Sequence, residues 1–110
     1  MSNLVKIVVF VPTSHADQVR MAMGDAGAGV IGNYSHCTFG SVGYGRYKPL
    51  DGAKPFIGEV GLFEQVEEER IETLCEKSKV KQVIKALKES HPYEEVAFDI
   101  FPVLDESEFK

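Results

Sequence analysis

The sequence predicts an α+β fold of the ferredoxin-like type, in which an antiparallel sheet carries two helices on one face. Two patterns support this class: a strand followed by a helix near the start of the chain, and a strand–helix–strand unit after an irregular middle. With 110 residues, the chain is close to the commonest size of a single domain. We therefore expect one domain over residues 1–110 with the element order βαββαβ.

The first strand is expected from Leu4 to Val11, where a nearly continuous apolar, β-branched run occurs. Both faces of such a strand need cover, so it should lie inside the sheet. Ser14, followed three residues later by Asp17, predicts a helix start that is capped by the serine side chain. Gly27 predicts the end of this helix. The buried stripe of the helix should consist of Ala16, Val19, Met23 and Ala26.

The middle of the chain combines extended and irregular patterns. A strand is predicted from His36 to Tyr47, and its three glycines are typical of a bulge or a close backbone approach. An irregular excursion should follow at about residues 47–57, because two prolines and a glycine interrupt any regular pattern there. Beyond it, Ile57 to Val66 and Arg70 to Cys75 predict either two strands or one long bent strand.

The second helix should begin at Ser78 as its cap and end at His91-Pro92, because the residue before a proline avoids the α region. A last strand is predicted from Val96 to Val103, and the acidic tail after it, residues 105–110, should be frayed. The buried stripe of this helix follows the i, i+3, i+4, i+7 spacing and consists of Val80, Val83, Ile84 and Leu87.

Composition excludes several classes of partner. Seventeen acidic and 12 basic residues give a formal net charge of −5, which argues against nucleic-acid binding, since that function normally needs a basic face. The two cysteines, Cys37 and Cys75, have no metal-ligand spacing, and no apolar run approaches the roughly 20 residues that span a bilayer. We expect a reduced, cytoplasmic protein with no nucleic-acid or membrane partner.

Two polar segments at predicted strand edges form the candidate site, the first at Gly32–Cys37 and the second at His91–Glu95, and each contains a histidine and a tyrosine. The imidazole and carboxylate groups suit a transition-metal ion, so His36, His91 and Glu95 are the candidate ligands of a divalent metal. The alternative is a structural role, in which these groups satisfy turns, strand edges and nearby amides. The candidate ligand-binding residues are Asn33, Tyr34, His36, His91, Tyr93 and Glu95.

The predicted topology separates these two segments within one subunit, because they precede strands on opposite edges of the sheet. A shared site would therefore have to form between subunits. The sequence also contains weaker patterns. Gly40, Gly43 and Gly45 before Arg46 could cradle a phosphate, but neither a P-loop nor a strand-GxGxxG-helix unit is present. Adjacent strand residues point to opposite faces, which argues against a Cys-His nucleophile, and no Ser-His-Asp arrangement is nominated.

Roughly Leu4 to Val103 resembles the inserted domain of bacterial YqfO-type proteins, which are members of the NGG1p-interacting-factor-like family. The resemblance implies a fold similar to the CutA and PII signalling proteins, which are trimers of ferredoxin-like subunits. It does not carry over the two-metal site of longer relatives, whose ligands lie in flanking domains, nor a label such as GTP cyclohydrolase or metal-dependent hydrolase. Four motifs in series carry it: residues 32–39 (GNYSHCTF), 52–61 (GAKPFIGEVG), 68–72 (EERIE) and 91–99 (HPYEEVAFD).

We expect a stand-alone version of that domain that acts as a non-enzymatic binding or regulatory module. The helix-free sheet face needs cover, so the chain should be a homo-oligomer, and the resemblance implies a trimer with its ligand held between subunits. The rival hypothesis is a metal-binding protein, or a residual metal-dependent hydrolase activity, that uses His36 and His91. No catalytic residue is nominated.

Overall fold

A computed structural model describes residues 3–110, and it confirms the predicted fold class. Four strands form one sheet in the order β2-β3-β1-β4, and every neighbouring pair is antiparallel. The strands are β1 (Leu4–Pro12), β2 (Phe39–Tyr47), β3 (Glu64–Glu76) and β4 (Phe98–Pro102). The helices are α1 (Ala16–Asp25) and α2 (Val80–Ser90).

The core lies between one face of the sheet and the two helices. Alternate residues of β1 point into it, as expected for a strand with a side-chain period of two. From the helices, Val19, Met23, Val83 and Leu87 fill the same layer and are fully buried. The strand residues of this core are Val5, Ile7, Val9, Val11, Ile71 and Cys75. The predicted inside position of β1 is thus confirmed.

Both predicted serine caps are wrong. A short 3-10 turn precedes each helix, Thr13–His15 before α1 and Lys77–Lys79 before α2. Each turn places its serine one residue ahead of the N-cap, and neither helix start has a side-chain cap hydrogen bond. The Ser14 hydroxyl is instead 2.8 Å from the His15 ring. The predicted stop of α1 is borne out, because Gly27 adopts φ +113° and its N–H bonds the Gly24 carbonyl.

The irregular middle is longer than predicted. The chain has no regular element from residue 48 to residue 63, and we call this stretch the excursion. The apolar residues after Phe56 predicted a strand, but Gly58 and Gly61 adopt φ of +106° and +86°, which turn the chain out of an extended path. β3 then runs as one strand of 13 residues. β2 begins at Phe39 rather than at His36.

The C-terminal tail is more ordered than predicted. Residues 106–108 form a 3-10 turn whose N-cap, Asp105, accepts a hydrogen bond from the Ser107 N–H, while the Glu108 side chain accepts from the Asp105 N–H. This reciprocal capping box satisfies backbone donors that a frayed tail would leave to water. Across residues 3–110, no helix is long and apolar enough to cross a membrane.

The sheet face opposite the helices carries a mixed surface. Phe39 is exposed on it, and Lys6, Glu72 and Arg70 form a charged row across its centre. Beside this row lies a depression of about 470 Å³. Its lining residues are Phe10, Ser41, Val42, Gly43, Tyr44, Gly45, Glu68, Arg70 and Ala97. The depression exists because Gly43 and Gly45 on β2 have no side chains to fill it.

Candidate functional site

His91 is the best-buried residue of the six predicted site residues. It follows α2, its N–H bonds the Leu87 carbonyl, and only 6% of its surface is exposed. Its Nε2 lies 2.7 Å from the Phe10 carbonyl oxygen, and its Nδ1 lies 3.1 Å from the Tyr93 N–H nitrogen. A carbonyl only accepts and an amide only donates, so the neutral ring with its proton on Nε2 satisfies both partners.

This arrangement changes the role expected of His91. Burial lowers the pKa of His91, with a further small decrease from nearby His15, while the hydrogen bond to the Phe10 carbonyl works in the opposite direction. Both ring nitrogens are engaged inside the subunit, so neither is available to a metal ion in this conformation. We therefore do not assign His91 as a metal ligand.

Tyr93 lies at the centre of an aromatic cluster that consists of His15, Tyr47, Phe56, His91 and Tyr93. Its ring centroid is 5.0 Å from that of His91, 6.0 Å from Tyr47 and 6.4 Å from Phe56. Its hydroxyl donates to Glu68 Oε2 at 3.1 Å. Burial raises the pKa of Tyr93, and the negative charge of Glu68 raises it further, so the phenol remains a neutral donor.

The excursion docks on this cluster. Phe56 packs edge-on against His15 at 5.3 Å, and the Tyr47 hydroxyl donates to the Ile57 carbonyl at 2.6 Å. The Lys54 N–H donates to Glu94 Oε1 at 2.7 Å. The structure thus joins the motif at residues 91–99 to the motif at residues 52–61. Sequence reasoning missed Tyr47, Phe56 and Glu68. The aromatic residues Tyr47, just before the excursion, and Phe56, within it, were a signal that the excursion packs against the subunit.

The first predicted segment forms a separate, exposed turn. Ile31 and Tyr34 exchange two backbone hydrogen bonds around Gly32-Asn33, and 75% of the Tyr34 surface is exposed. Gly32 adopts φ +57°, as the first position of such a tight hairpin requires. Asn33 and Tyr34 are therefore presented to solvent at a turn, where a partner or a ligand can reach them. Glu95, in the second segment, is also exposed.

His36 is held in an uncommon conformation beside the end of α1. Its φ is +58°, which is rare for a residue other than glycine. Its Nδ1 lies 2.9 Å from Ser35 Oγ and its Nε2 lies 2.9 Å from Asp25 Oδ1. The ring also lies against Gly24, where a Cβ would come within 2.1 Å of it. This Ser35–His36–Asp25 chain, which the sequence had not suggested, fixes the orientation of an exposed imidazole.

The structure does not bring the two segments together within one subunit. β2 and β4 occupy opposite edges of the sheet, and His36 lies at the end of α1 whereas His91 lies near the end of β1. Across residues 3–110, no group of three His, Cys, Asp or Glu side chains is placed to hold a metal ion. A site shared by the two segments requires a second copy of the chain.

The first segment borders the helix-free face of the sheet, and the second is connected to this face through the hydrogen bond from Tyr93 to Glu68. The depression beside Gly43 and Gly45 includes Glu68, the partner of Tyr93. A second depression of about 340 Å³ includes Cys37 of the first segment and Ile31 just before that segment. The remaining residues of this second depression are Lys6, Thr38, Phe39, Glu72, Thr73 and Leu74.

The phosphate-cradle hypothesis for the glycines and Arg46 gains no support from these positions. The Arg46 Nε donates to Gln65 Oε1 at 3.0 Å, and its partner in the sheet places it on the face opposite to Gly45. Gly45 lies close to Glu68, since a Cβ there would come within 2.1 Å of the carboxylate. A carboxylate at this distance disfavours a bound phosphate.

Comparison with known proteins identifies longer relatives. No family model matches the chain. It is 62% identical over 100 residues to the GTP cyclohydrolase 1 type 2 homolog of Bacillus subtilis, and the match covers 91% of this chain and 27% of the relative. It is 44% identical over 103 residues to the protein of the same name from Mycobacterium tuberculosis, and this match covers 94% of this chain and 27% of the relative. The chain therefore spans about a quarter of the length of the curated relatives it matches.

Solved structures agree with this relationship. A Bacillus cereus protein related to NIF3 superposes with a TM-score of 0.81 at 53% identity, over 93% of this chain and 26% of that one. The periplasmic divalent cation tolerance protein CutA from Archaeoglobus fulgidus gives a TM-score of 0.66 at 14% identity, over 91% and 83%. Bacillus subtilis GlnK gives 0.55 at 14% identity, over 91% and 86%. The last two likenesses show the fold alone.

Proposed function

The chain corresponds to the CutA/PII-like domain of NIF3-related proteins, and from this relationship we propose that it is a homo-oligomeric, non-enzymatic binding or regulatory module. The cyclohydrolase name belongs to relatives more than three times as long, so we propose no such activity for this chain. Its ligand, a small molecule, would be bound at a boundary between subunits.

The observation that carries this proposal is the uncovered sheet face. The main cluster of buried apolar residues lies on the other side of the sheet, between the strands and both helices. Phe39 is exposed on the uncovered face with 66% of its surface accessible. One depression on this face includes Cys37 of the first polar segment, and the other includes Glu68, the hydrogen-bond partner of Tyr93. A second copy that packs here would bury these apolar groups and enclose the depressions.

Strand directions add a second argument for self-association. β2 and β4 are the two edge strands, and because each neighbouring pair is antiparallel, β4 also runs antiparallel to β2. Edge strands carry unpaired backbone groups that readily join another chain. Successive copies can therefore meet β4 to β2 in the antiparallel sense, and such head-to-tail contacts form a ring when the rotation between copies closes. A trimer is the ring that we propose.

Within such an assembly the six candidate residues divide into two roles. Asn33, Tyr34, His36 and Glu95 are exposed and would contact the ligand. Tyr93 and His91 would mainly support the site without contacting the ligand, because their polar groups already bond Glu68 and the backbone.

The oligomer is tested by multi-angle light scattering of the purified chain at micromolar concentration. We expect a mass of about three times 12.2 kDa for the wild type, from the ring closure described above. Phe39→Glu should shift the mass to that of the monomer, since it places a charge on the proposed contact. Met21→Glu is the matched control, because Met21 is 58% exposed on α1 and should leave the mass unchanged. A monomeric wild type would overturn the proposal.

The ligand is tested by a thermal-shift screen with nucleotides, small metabolites and divalent ions. A ligand present at 100 times its Kd stabilises the folded state by about 2.7 kcal/mol, which is readily detected. Tyr34→Ala and His36→Ala should each reduce the shift of a true ligand without changing the mass of the assembly. If a ligand stabilises both variants as strongly as the wild type, the proposed site is wrong.

The rival hypothesis of a metal protein depends on assembly as well. Only a contact between subunits could bring His36 and Glu95 to one ion, given their separation in the subunit. Elemental analysis of purified wild type and His36→Ala distinguishes the metal hypothesis from the proposed binding module. Stoichiometric metal that is lost in the variant would replace our proposal with the rival.

A further inference from the structure

We propose that His91 is a pH-sensitive latch, which holds the excursion against the rest of the subunit while its ring is neutral and releases it when the ring is protonated. This inference goes beyond the binding function proposed above and does not depend on it. It concerns a buried titratable group that the proposed ligand site does not use directly.

The first step of the argument is the pair of hydrogen bonds at the ring. Nε2 donates to the Phe10 carbonyl, so the proton of the neutral ring is already placed there. Nδ1 accepts from the Tyr93 N–H, so it must keep its lone pair. A second proton would set two donors against each other at 3.1 Å in a site that is 6% exposed. The protonated ring is therefore incompatible with this position of Tyr93.

The second step is the connection from Tyr93 to the excursion. The Tyr93 ring contacts Phe56 of the excursion and Tyr47 just before it. One residue further along, Glu94 accepts the Lys54 N–H. Movement of the backbone at Tyr93 therefore disturbs both the aromatic contact and the hydrogen bond that fasten the excursion. Half of the Phe56 surface is already exposed, so little buried area opposes its release.

The third step concerns the charges around His91. His15, from the turn before α1, lowers the pKa of His91 through its charge. Glu68, from β3, is reached through the Tyr93 hydroxyl, and Glu94 and Glu95 are exposed in the same segment. β1 and α2 hydrogen-bond His91 through backbone groups, the Phe10 carbonyl at the ring and the Leu87 carbonyl at the N–H. A positive charge on His91 in this position is thus disfavoured by His15.

The expected direction follows from these contacts. In the released state the ring meets water and titrates near its ordinary pKa of about 6.5. Burial lowers the pKa of His91 in the latched state. Between these two values the released state binds more protons, so release becomes more favourable as the pH falls.

Nuclear magnetic resonance of the intact chain between pH 7.5 and 5.0 tests the proposal. We expect the amide signals of Lys54 and Phe56 to move towards random-coil positions as the pH falls, while those of Ile7 and Ile71 in the core strands stay in place. The imidazole signals of His91 should show the Nε2-protonated neutral ring at pH 7.5 and should titrate together with the excursion. Light scattering at both pH values shows whether the assembly is unchanged, which separates release from dissociation.

Two variants assign the effect to one ring. His15→Gln should keep the transition, whereas His91→Gln, which cannot take up a proton, should remove its pH dependence. If His91→Gln does not fold, the wild type and His15→Gln still test the proposal, because in both proteins the transition must follow the His91 imidazole signals. The proposal is overturned if the excursion does not respond to pH, or if the response follows His15 and disappears in His15→Gln. It is also overturned if His91 titrates while Lys54 and Phe56 remain unchanged.

Discussion

The phenol of Tyr93 donates a hydrogen bond to the carboxylate of Glu68, and this 3.1 Å contact joins the segment after α2 to the longest strand of the sheet, β3. The two residues are 25 positions apart. Around this contact the molecule assembles its aromatic cluster, docks its excursion and borders the larger depression on the helix-free face.

Removing the Tyr93 hydroxyl should destabilise the fold. Tyr93→Phe keeps the ring but leaves the partly buried Glu68 carboxylate without its donor, and hydrogen bonds to charged groups contribute about 1.5–3 kcal/mol. We expect a loss near the lower end, about 1.5 kcal/mol, because the pair is only partly buried. Urea unfolding measures it. Tyr34→Phe, at an exposed tyrosine, should change the free energy of unfolding by less than about 0.5 kcal/mol, and equal losses in both variants would contradict the prediction.

The global stability should decrease on the acid side because of His91. The pKa of His91 is lowered in the folded state, so below about pH 6.5 the unfolded chain binds more protons than the folded one. This contribution is fully present above that pH and is lost as the pH falls towards the folded-state value. Urea unfolding at pH 7.5 and 5.5 should show a smaller pH-dependent loss in His91→Gln than in the control His15→Gln. The same loss in both would contradict it.

The first polar segment should depend on Gly29 far more than on Gly32. Gly29 adopts φ +78° and a Cβ there would lie 2.6 Å from the backbone nitrogen of Cys37, whereas Gly32 adopts φ +57° in open space. Gly32→Ala should therefore cost only the backbone strain of about 1–2 kcal/mol, and Gly29→Ala should cost clearly more because backbone must move. Thermal unfolding of the two variants compares them. A smaller loss in Gly29→Ala would show that Cys37 is not held as described.

The ion pair between Arg20 and Glu69 should stabilise the packing of α1 on the sheet. The Arg20 guanidinium bonds Glu69 on β3, and the Glu69 side chain is only 16% exposed. Glu69→Gln should cost about 1–2 kcal/mol, because it weakens a charge-assisted bond in a partly buried site. Glu67→Gln, two residues earlier on the same strand and exposed, is the matched control and should be nearly neutral. Chemical denaturation of both variants at neutral pH measures the difference.

The helix layer should depend strongly on Leu87. This side chain is fully buried between α2 and the sheet, so Leu87→Ala leaves a cavity and should cost about 2–5 kcal/mol. Leu104, which is exposed after β4, provides the comparison, and Leu104→Ala should change the stability by less than about 0.5 kcal/mol. Calorimetry of the two variants tests the prediction, and a mild effect of Leu87→Ala would mean that α2 packs loosely.

Local patterns carried most of the fold prediction. The apolar run of β1 and the spaced apolar residues of α1 and α2 are periodic signals that follow directly from strand and helix geometry, and the structure has these elements where expected. The helix boundaries were less predictable. Ser14 and Ser78 have the composition of caps, but a 3-10 turn before each helix moves them out of capping reach, and no local pattern announces such a turn.

The sequence by itself therefore determined the order of the elements, the core stripe and the two polar segments, because these depend on neighbours within a few positions. Only the tertiary structure decided what those polar segments contact. His91 became a buried, doubly bonded ring because the end of β1 brings the Phe10 carbonyl to it from 81 positions away. The excursion docks on Tyr93, and His36 bonds Asp25 at the end of α1, because the fold likewise brings separate elements together there. Such contacts depend on the packing of distant elements, which periodicity and spacing do not encode.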